Sequence, residues 1–171
     1  MANIANLLRL NVGFLLNLTV GDSRDFLFDI PRICLEPDLD LSDLVGGAHI
    51  TRTAQGLLVQ VRMQSTLLSE CARCLSGFQQ PLQVDFTELY AFSRDAMTDS
   101  GLLLPEDGHI NLGPLVREYM LLDVPINPLC TPDCKGLCPI CGENLNETLC
   151  NHPEEAIDPR LAVLKSLLDQ E

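Results

Sequence analysis

The sequence predicts an α+β fold: an antiparallel, partly barrel-like β-sheet with packed helices and a cysteine-rich C-terminal extension. Apolar and polar residues alternate over residues 57–68 and again over 82–87, as in strands that bury one face. Gln55-Gly56 joins the first of these segments to residues 49–54, which predicts a hairpin. With 171 residues, 46% of them hydrophobic, the chain is long enough to bury a core beneath such a sheet.

Before the hairpin, the sequence predicts one helix and one strand. The segment Leu7–Leu18 carries its apolar residues at helical spacing, which predicts a short amphipathic helix. The segment Arg24–Ile30 alternates, and Pro31 either ends that strand or places it at a sheet edge. Cys34 stands alone between two apolar residues, and we expect it to be a buried small side chain.

After the sheet, the sequence predicts two helices. Asn111 can cap a helix that runs to about Leu122, with Leu115, Tyr119 and Leu122 on its buried face. Asp158-Pro159 is a typical start for a second, amphipathic helix, because proline is favoured at the first helical position.

Seven of the eight cysteines lie in closely spaced sets, and a histidine follows the last of them. Cysteine pairs on tight turns can reach one Zn²⁺, and two pairs complete its tetrahedral coordination. In a reducing cytosol, metal binding explains such pairs better than disulfides do. The C-terminal extension is therefore predicted to bind zinc. The predicted metal ligands are Cys71, Cys74, Cys130, Cys134, Cys138, Cys141, Cys150 and His152.

Two arrangements of these ligands are open. The favoured one has two structural zinc ions, since eight ligands fill two tetrahedra. One ion is then held by Cys71, Cys74, Cys130 and Cys134, and the other by Cys138, Cys141, Cys150 and His152. In the other arrangement one zinc is held by four of the later cysteines, and Cys71 and Cys74 form a free dithiol. Iron also suits four thiolates, although the knuckle-like spacing favours zinc.

This ligand pattern predicts two parts of the chain. Residues 1–128 would form the α+β core, including the CxxC turn, and residues 129–171 would form the zinc-binding knuckle and a C-terminal helix packed on the core. All-protein ligation leaves no open metal position for catalysis, so we expect no catalytic residues, no other cofactor and no enzymatic activity. His49 and His109 are isolated in the sequence and are expected to be solvent-facing or structural.

Charge and hydropathy exclude further classes of function. The formal net charge of −13 argues against non-specific binding to phosphate backbones, which uses clustered Lys and Arg. The longest apolar stretch, residues 12–20, is shorter than the roughly 20 residues that span a bilayer, and the N-terminus lacks a signal-peptide pattern. We therefore expect a cytoplasmic protein with no membrane association and no small-molecule substrate.

One motif carries a family resemblance. The run CKGLCPICGENLN, from Cys134 to Asn146, together with the turn Cys71-Ala72-Arg73-Cys74, resembles the YceD family of large ribosomal RNA subunit accumulation proteins. Relatives usually have cysteine at the position of His152 and aspartate at that of Asn111, and both replacements preserve the chemistry.

The resemblance implies a non-enzymatic factor in ribosome biogenesis that supports accumulation of 23S ribosomal RNA, with ribosomal protein L32 as a linked partner. Because the chain is acidic, we expect it to contact a ribosomal precursor through a basic protein, and ribosomal RNA indirectly. One alternative is a zinc-ribbon module that binds protein or RNA outside the ribosome. Another is a thiol oxidoreductase that uses Cys71 and Cys74, since CxxC spacing also serves thiol exchange.

Overall fold

A computed structural model describes residues 7–151, in which a four-stranded antiparallel sheet is the main feature. A smaller two-stranded sheet and one α-helix pack with it around a single large apolar core. The elements in chain order are β1 (Arg9–Asn11), a 3-10 helix (Gly13–Asn17), β2 (Ser23–Leu35), β3 (Leu39–Arg52), β4 (Gly56–Glu70), β5 (Gly77–Ala91), a 3-10 helix (Arg94–Ala96), β6 (His109–Asn111) and α1 (Gly113–Asp123).

The two predicted central strands are confirmed, and both are longer than the sequence pattern indicates. β3 and β4 form the hairpin around Gln55-Gly56, and β4 and β5 pair without a register shift from Gly56–Ala91 to Glu70–Gly77. Alternate β4 residues are buried, which gives the predicted apolar face. The segment Cys71–Cys74 consequently lies in the turn between two antiparallel strands, as predicted.

The large sheet has the strand order β2-β3-β4-β5, so β2 and β5 are its edges. They do not pair with each other, and no closed barrel forms within residues 7–151. Pro31 lies inside the edge strand β2, where its missing N–H is tolerated. The described chain is therefore mostly β with one α-helix, and it fits the predicted α+β class with packed helices only loosely.

The predicted helix over Leu7–Leu18 is wrong. The segment instead forms β1 and a 3-10 helix, and β1 pairs with β6. Leu8, Leu10 and Val12 are buried at alternate positions, a period of two that the helix-like spacing of the other apolar residues conceals. The partner strand comes about a hundred positions later, so local periodicity does not predict this pairing.

The prediction that Cys34 is buried is also wrong, because its side chain is exposed. Ile33 and Leu35 both point into the core, and successive residues of a strand point to opposite faces. The two buried neighbours therefore place Cys34 outside.

Helix α1 is confirmed, but its predicted buried face is partly wrong. The fully buried stripe is Leu112, Val116 and Met120, whereas Leu122 is 81% exposed. Asn111 ends β6, and its side-chain oxygen accepts a hydrogen bond from the Gly113 N–H at 3.0 Å. The second predicted helix, from Asp158, lies outside the described residues.

Helix α1 brings the segment that follows it to the turn between β4 and β5. The Asp123 carboxylate accepts a hydrogen bond from the Gln83 N–H of β5 at 2.8 Å. The Pro128 carbonyl then accepts one from the Ala72 N–H, also at 2.8 Å. These contacts place the next residues, beginning at Cys130, beside Cys71 and Cys74. No helix among residues 7–151 has the length and apolar character that a membrane span requires.

Candidate metal centre

Four cysteines from two distant segments form a first cluster next to the sheet. Their sulfur atoms all lie within 4.8 Å of one another. The sulfurs of Cys71 and Cys134 are 3.7 Å apart, and those of Cys74 and Cys130 are 3.6 Å apart. Cys71, Cys74 and Cys134 are buried, with exposures of 0%, 5% and 1%. The apolar residues Phe78, Leu129 and Leu137 pack against this group.

Hydrogen bonds within the turn between β4 and β5 fix the positions of Cys71 and Cys74. The Cys71 N–H donates to the Ser76 carbonyl at 3.0 Å, and the Leu75 N–H donates back to the Cys71 carbonyl at 2.9 Å. Leu75 has φ of 57°, a left-handed conformation that reverses the chain after the second cysteine. The Arg73 guanidinium donates to the Cys134 carbonyl at 2.8 Å and ties the turn to the extension.

The environment of the first cluster favours thiolates at some positions and opposes them at others. The backbone N–H of Cys130, followed by those of Cys74 and Arg73, lowers the pKa of Cys71 to about 6. The hydroxyl and the N–H of Ser76 lower the pKa of Cys74. Burial and the neighbouring Cys74 sulfur raise the pKa of Cys130 to about 12. Hydrogen-bond donors thus favour the thiolate at Cys71 and Cys74, and the charge of a bound cation would favour it at Cys130 as well.

A second cluster is formed by Cys138, Cys141 and Cys150, whose sulfurs also lie within 4.8 Å of one another. The sulfurs of Cys141 and Cys150 are 3.4 Å apart. The backbone N–H groups of Cys141 and Ile140 lower the pKa of Cys138, while hydrogen bonding with Cys141 raises the pKa of Cys150 to about 12. The Gly142 N–H donates to the Cys138 carbonyl at 2.9 Å, and φ of 77° there suits glycine.

Both clusters have a donor set that fits a thiophilic metal ion. A tetrahedral ion with metal–sulfur bonds of about 2.3 Å separates its sulfurs by about 3.8 Å. The distances of 3.6 Å and 3.7 Å in the first cluster match that spacing. A disulfide is much shorter, at about 2.05 Å, and all described cysteines are free thiols. Each cluster could therefore hold a metal ion.

In the structure, seven of the eight predicted ligands form the same two groups that the two-ion arrangement predicts. The eighth, His152, lies outside the described residues, so its role as a ligand stays a prediction. Neither of the other two histidines belongs to a cluster: His49 contacts Asp25 at 2.6 Å, and His109 contacts the Asp107 carbonyl at 2.8 Å. The first cluster joins residues from both sides of the predicted boundary between residues 128 and 129, and that division into two parts stays a prediction.

Two residues that support the clusters are not apparent from ligand spacing alone. Arg73 holds the carbonyl of Cys134, and Asn146 donates a side-chain hydrogen bond to the Cys134 sulfur at 3.3 Å. Both residues belong to cysteine-rich motifs, and this is the only signal in those motifs that points to them. Their partners depend on how the two motifs meet in space, and the sequence pattern does not contain that information.

Comparison with known proteins identifies the family. Residues 59–168 match the family described as "Large ribosomal RNA subunit accumulation protein YceD", which covers both clusters and the sheet strands next to them. The chain belongs to the YceD family. The family's name describes accumulation of a ribosomal RNA, not a catalysed reaction, and links the family to the large ribosomal subunit.

YceD relatives occur in bacteria and plants. An uncharacterized protein of Mycobacterium tuberculosis is 37% identical over 139 residues, covering 78% of this chain and 63% of that protein. The uncharacterized protein YlbN of Bacillus subtilis is 31% identical over 107 residues, covering 61% of this chain and 62% of that protein. The chain thus spans less than two thirds of the length of either.

A chloroplastic protein of Zea mays, named large ribosomal RNA subunit accumulation protein YCED homolog 1, is 40% identical over 42 residues. That match covers 25% of this chain and 14% of the plant protein. No solved structure matches this YceD chain significantly.

Proposed function

We propose that this protein is a non-enzymatic factor in ribosome biogenesis that supports accumulation of 23S ribosomal RNA, and that two structural zinc ions hold its C-terminal extension. The family match over residues 59–168 carries this proposal. The plant relatives' names add support, because they describe those proteins as large ribosomal RNA subunit accumulation proteins.

The cysteine clusters support a structural role for the metal. In the first cluster four protein sulfurs would fill a tetrahedral ion, which leaves no position for a substrate or water. Cys71 and Cys134 are 0% and 1% exposed, so a reacting molecule could not reach their sulfurs. The same burial argues against thiol exchange at Cys71 and Cys74, which needs an accessible thiolate. A zinc ion there would cross-link the turn after β4 to the extension.

Charge supports a protein partner over naked RNA. The formal net charge is −13, so a large-subunit precursor would repel the chain unless a basic protein stood between them. We propose a basic ribosomal protein as the direct partner, and L32 is the candidate that the family resemblance implies. The cytoplasmic location predicted from the sequence stays a prediction.

The test compares two cysteines with different roles. Wild type, Cys71→Ser and Cys34→Ser are expressed in a bacterial strain from which the native gene has been deleted. The ratio of 23S to 16S ribosomal RNA is measured, together with zinc per purified chain by elemental analysis. Cys34 is an exposed cysteine outside both clusters, so Cys34→Ser is the matched control.

We expect wild type and Cys34→Ser to carry about two zinc ions and to restore the 23S level. Cys71→Ser should lose one ion and fail to restore it. A deletion strain with a normal 23S level would overturn the proposed role. A Cys71→Ser protein that loses zinc yet restores 23S would overturn the requirement for zinc. Crosslinking in cells that recovers ribosomal RNA without any ribosomal protein would overturn the proposed partner.

A further inference from the structure

Asn146 lies in the loop of the second cysteine cluster, and its side chain contacts the first cluster. It lies in the loop between Cys141 and Cys150, whose ends the second cluster joins. Its Nδ2 donates a hydrogen bond to the sulfur of Cys134, in the first cluster, at 3.3 Å. That sulfur is 3.7 Å from the sulfur of Cys71 and belongs to a residue only 1% exposed. A single amide group therefore connects the two sites.

The orientation of this amide is fixed by its other partners. The Asn146 Oδ1 accepts a hydrogen bond from the Lys135 N–H at 2.8 Å, and a backbone N–H can only donate. The amide oxygen must therefore face Lys135, which turns the NH₂ group toward the sulfur. Asn144 also restrains Asn146. The Asn144 Oδ1 accepts hydrogen bonds from the Asn146 backbone N–H at 3.1 Å and from the Asn146 Nδ2 at 2.7 Å.

The loop itself is held against the segment that carries Cys134. The Leu145 N–H donates to the Gly136 carbonyl at 2.9 Å, and Leu137 forms an antiparallel bridge with Asn144. The Cys138 N–H also donates to the Glu143 carbonyl at 2.8 Å. The position of Asn146 thus depends on the loop conformation that the second cluster closes.

We propose that Asn146 couples the two clusters, so that a metal ion at the second cluster raises the metal affinity of the first. This inference rests on the metal binding in the proposed function. A hydrogen bond to a thiolate stabilises its charged, metal-binding form. Hydrogen bonds to metal ligands typically change metal affinity by about 10- to 100-fold. Coupling between two binding sites is reciprocal, so the first cluster must raise the affinity of the second by the same factor.

The experiment is a double-mutant cycle on the full chain with Cd²⁺ as the metal. Asn146→Asp keeps the acceptor for the Lys135 N–H and removes the donor to the Cys134 sulfur. Cys141→Ser disables the second cluster, and the double variant combines both changes. Asn17→Asp adds the same charge at an exposed asparagine outside the clusters and is the matched control. Chelator competition followed by cadmium-113 NMR gives each site its own resonance and affinity.

We expect Asn146→Asp and Cys141→Ser each to weaken the first cluster by about tenfold or more. The double variant should be no weaker than the weaker single variant, since both changes remove the same contact. Asn17→Asp should match wild type. If Asn146→Asp does not fold, Asn146→Ala removes the same donor without adding charge and takes its place.

Three results would overturn the coupling. One is a first-cluster affinity that stays within about twofold of wild type in the Asn146 variant. Another is an unchanged first-cluster affinity in Cys141→Ser. The third is a double variant in which the two losses multiply, as they do for independent sites. Failure of metal binding itself looks different, because wild type would then show no bound cadmium at either cluster.

Discussion

Two residues on the last turns of helix α1 test how the helix positions the cysteine-rich segment that follows it. Met120 is fully buried in the main core, whereas Leu122, two positions later, is 81% exposed. We compare Met120→Ala with Leu122→Ala. Both changes create alanine at a helical position, so the small difference in helix propensity nearly cancels between them.

The expected cost differs because only one change leaves a cavity. Truncating a buried methionine to alanine typically lowers the free energy of unfolding by about 2–5 kcal/mol. A substitution at an exposed position away from such contacts typically changes it by less than about 0.5 kcal/mol. Met120→Ala should therefore be the less stable protein by at least about 1.5 kcal/mol.

Urea unfolding followed by far-UV circular dichroism measures this difference, with both variants saturated with the same metal at the same free concentration. The slopes of the two curves should agree, so that the midpoints report stability. Met120→Ala should also release metal at a lower chelator concentration, because α1 carries Asp123, whose carboxylate accepts a hydrogen bond from the Gln83 N–H, and leads into Cys130. Equal losses in the two variants, or a larger loss in Leu122→Ala, would refute the assigned helix face.

Two further predictions concern the ends of the β4–β5 pair and a buried tyrosine. Gly56→Ala should cost about 1–3 kcal/mol in unfolding free energy, because a Cβ there overlaps the Tyr90 carbonyl oxygen, while Gly77→Ala has open space and should be nearly neutral in the same urea assay. Burial raises the pKa of Tyr90 to about 12, above the usual value near 10, so folding favours its neutral form. That stabilisation is complete below pH 10 and is lost as the pH rises to 12, so wild type should lose stability more steeply than Tyr90→Phe over this window. Equal pH slopes in urea titrations of the two proteins would contradict it.

Strands with a local partner were predictable from the sequence. Along β4, Val59, Val61 and Met63 alternate with polar residues, and the neighbouring strand is reached through one turn. β1 was not predictable in this way, because its partner strand β6 is distant in the sequence and each of the two strands has only three residues. Three residues contain too little periodicity to outweigh the helix-like spacing around them.

The candidate site was predictable to the level of residue types and pairs. Ligand spacing is a local property, so counting tetrahedral sites favoured the grouping of Cys71 and Cys74 with Cys130 and Cys134 over the arrangement with one zinc ion. The structure brings these four sulfurs together, and their role as ligands stays a prediction. The supporting contacts were not predictable in this way. The hydrogen bond from Asn146 to Cys134 depends on how two loops pack, and the exposed side of α1 depends on where β5 lies beneath it.

The proposed metal sites would stabilise the extension more than the sheet. Between α1 and residue 151 the described chain contains no helix or strand, only the bridge between Leu137 and Asn144 and a set of turns. The apolar group beside the first cluster is small and separate from the main core: Leu129 and Leu137 of the extension and Phe78 of β5 are partly buried around the cysteines. So little apolar burial does not offset the entropy of ordering such a loop. Structural zinc supplies on the order of 10 kcal/mol in small zinc-binding modules, so loading of the proposed sites should decide whether the extension has a fixed surface for the proposed partner.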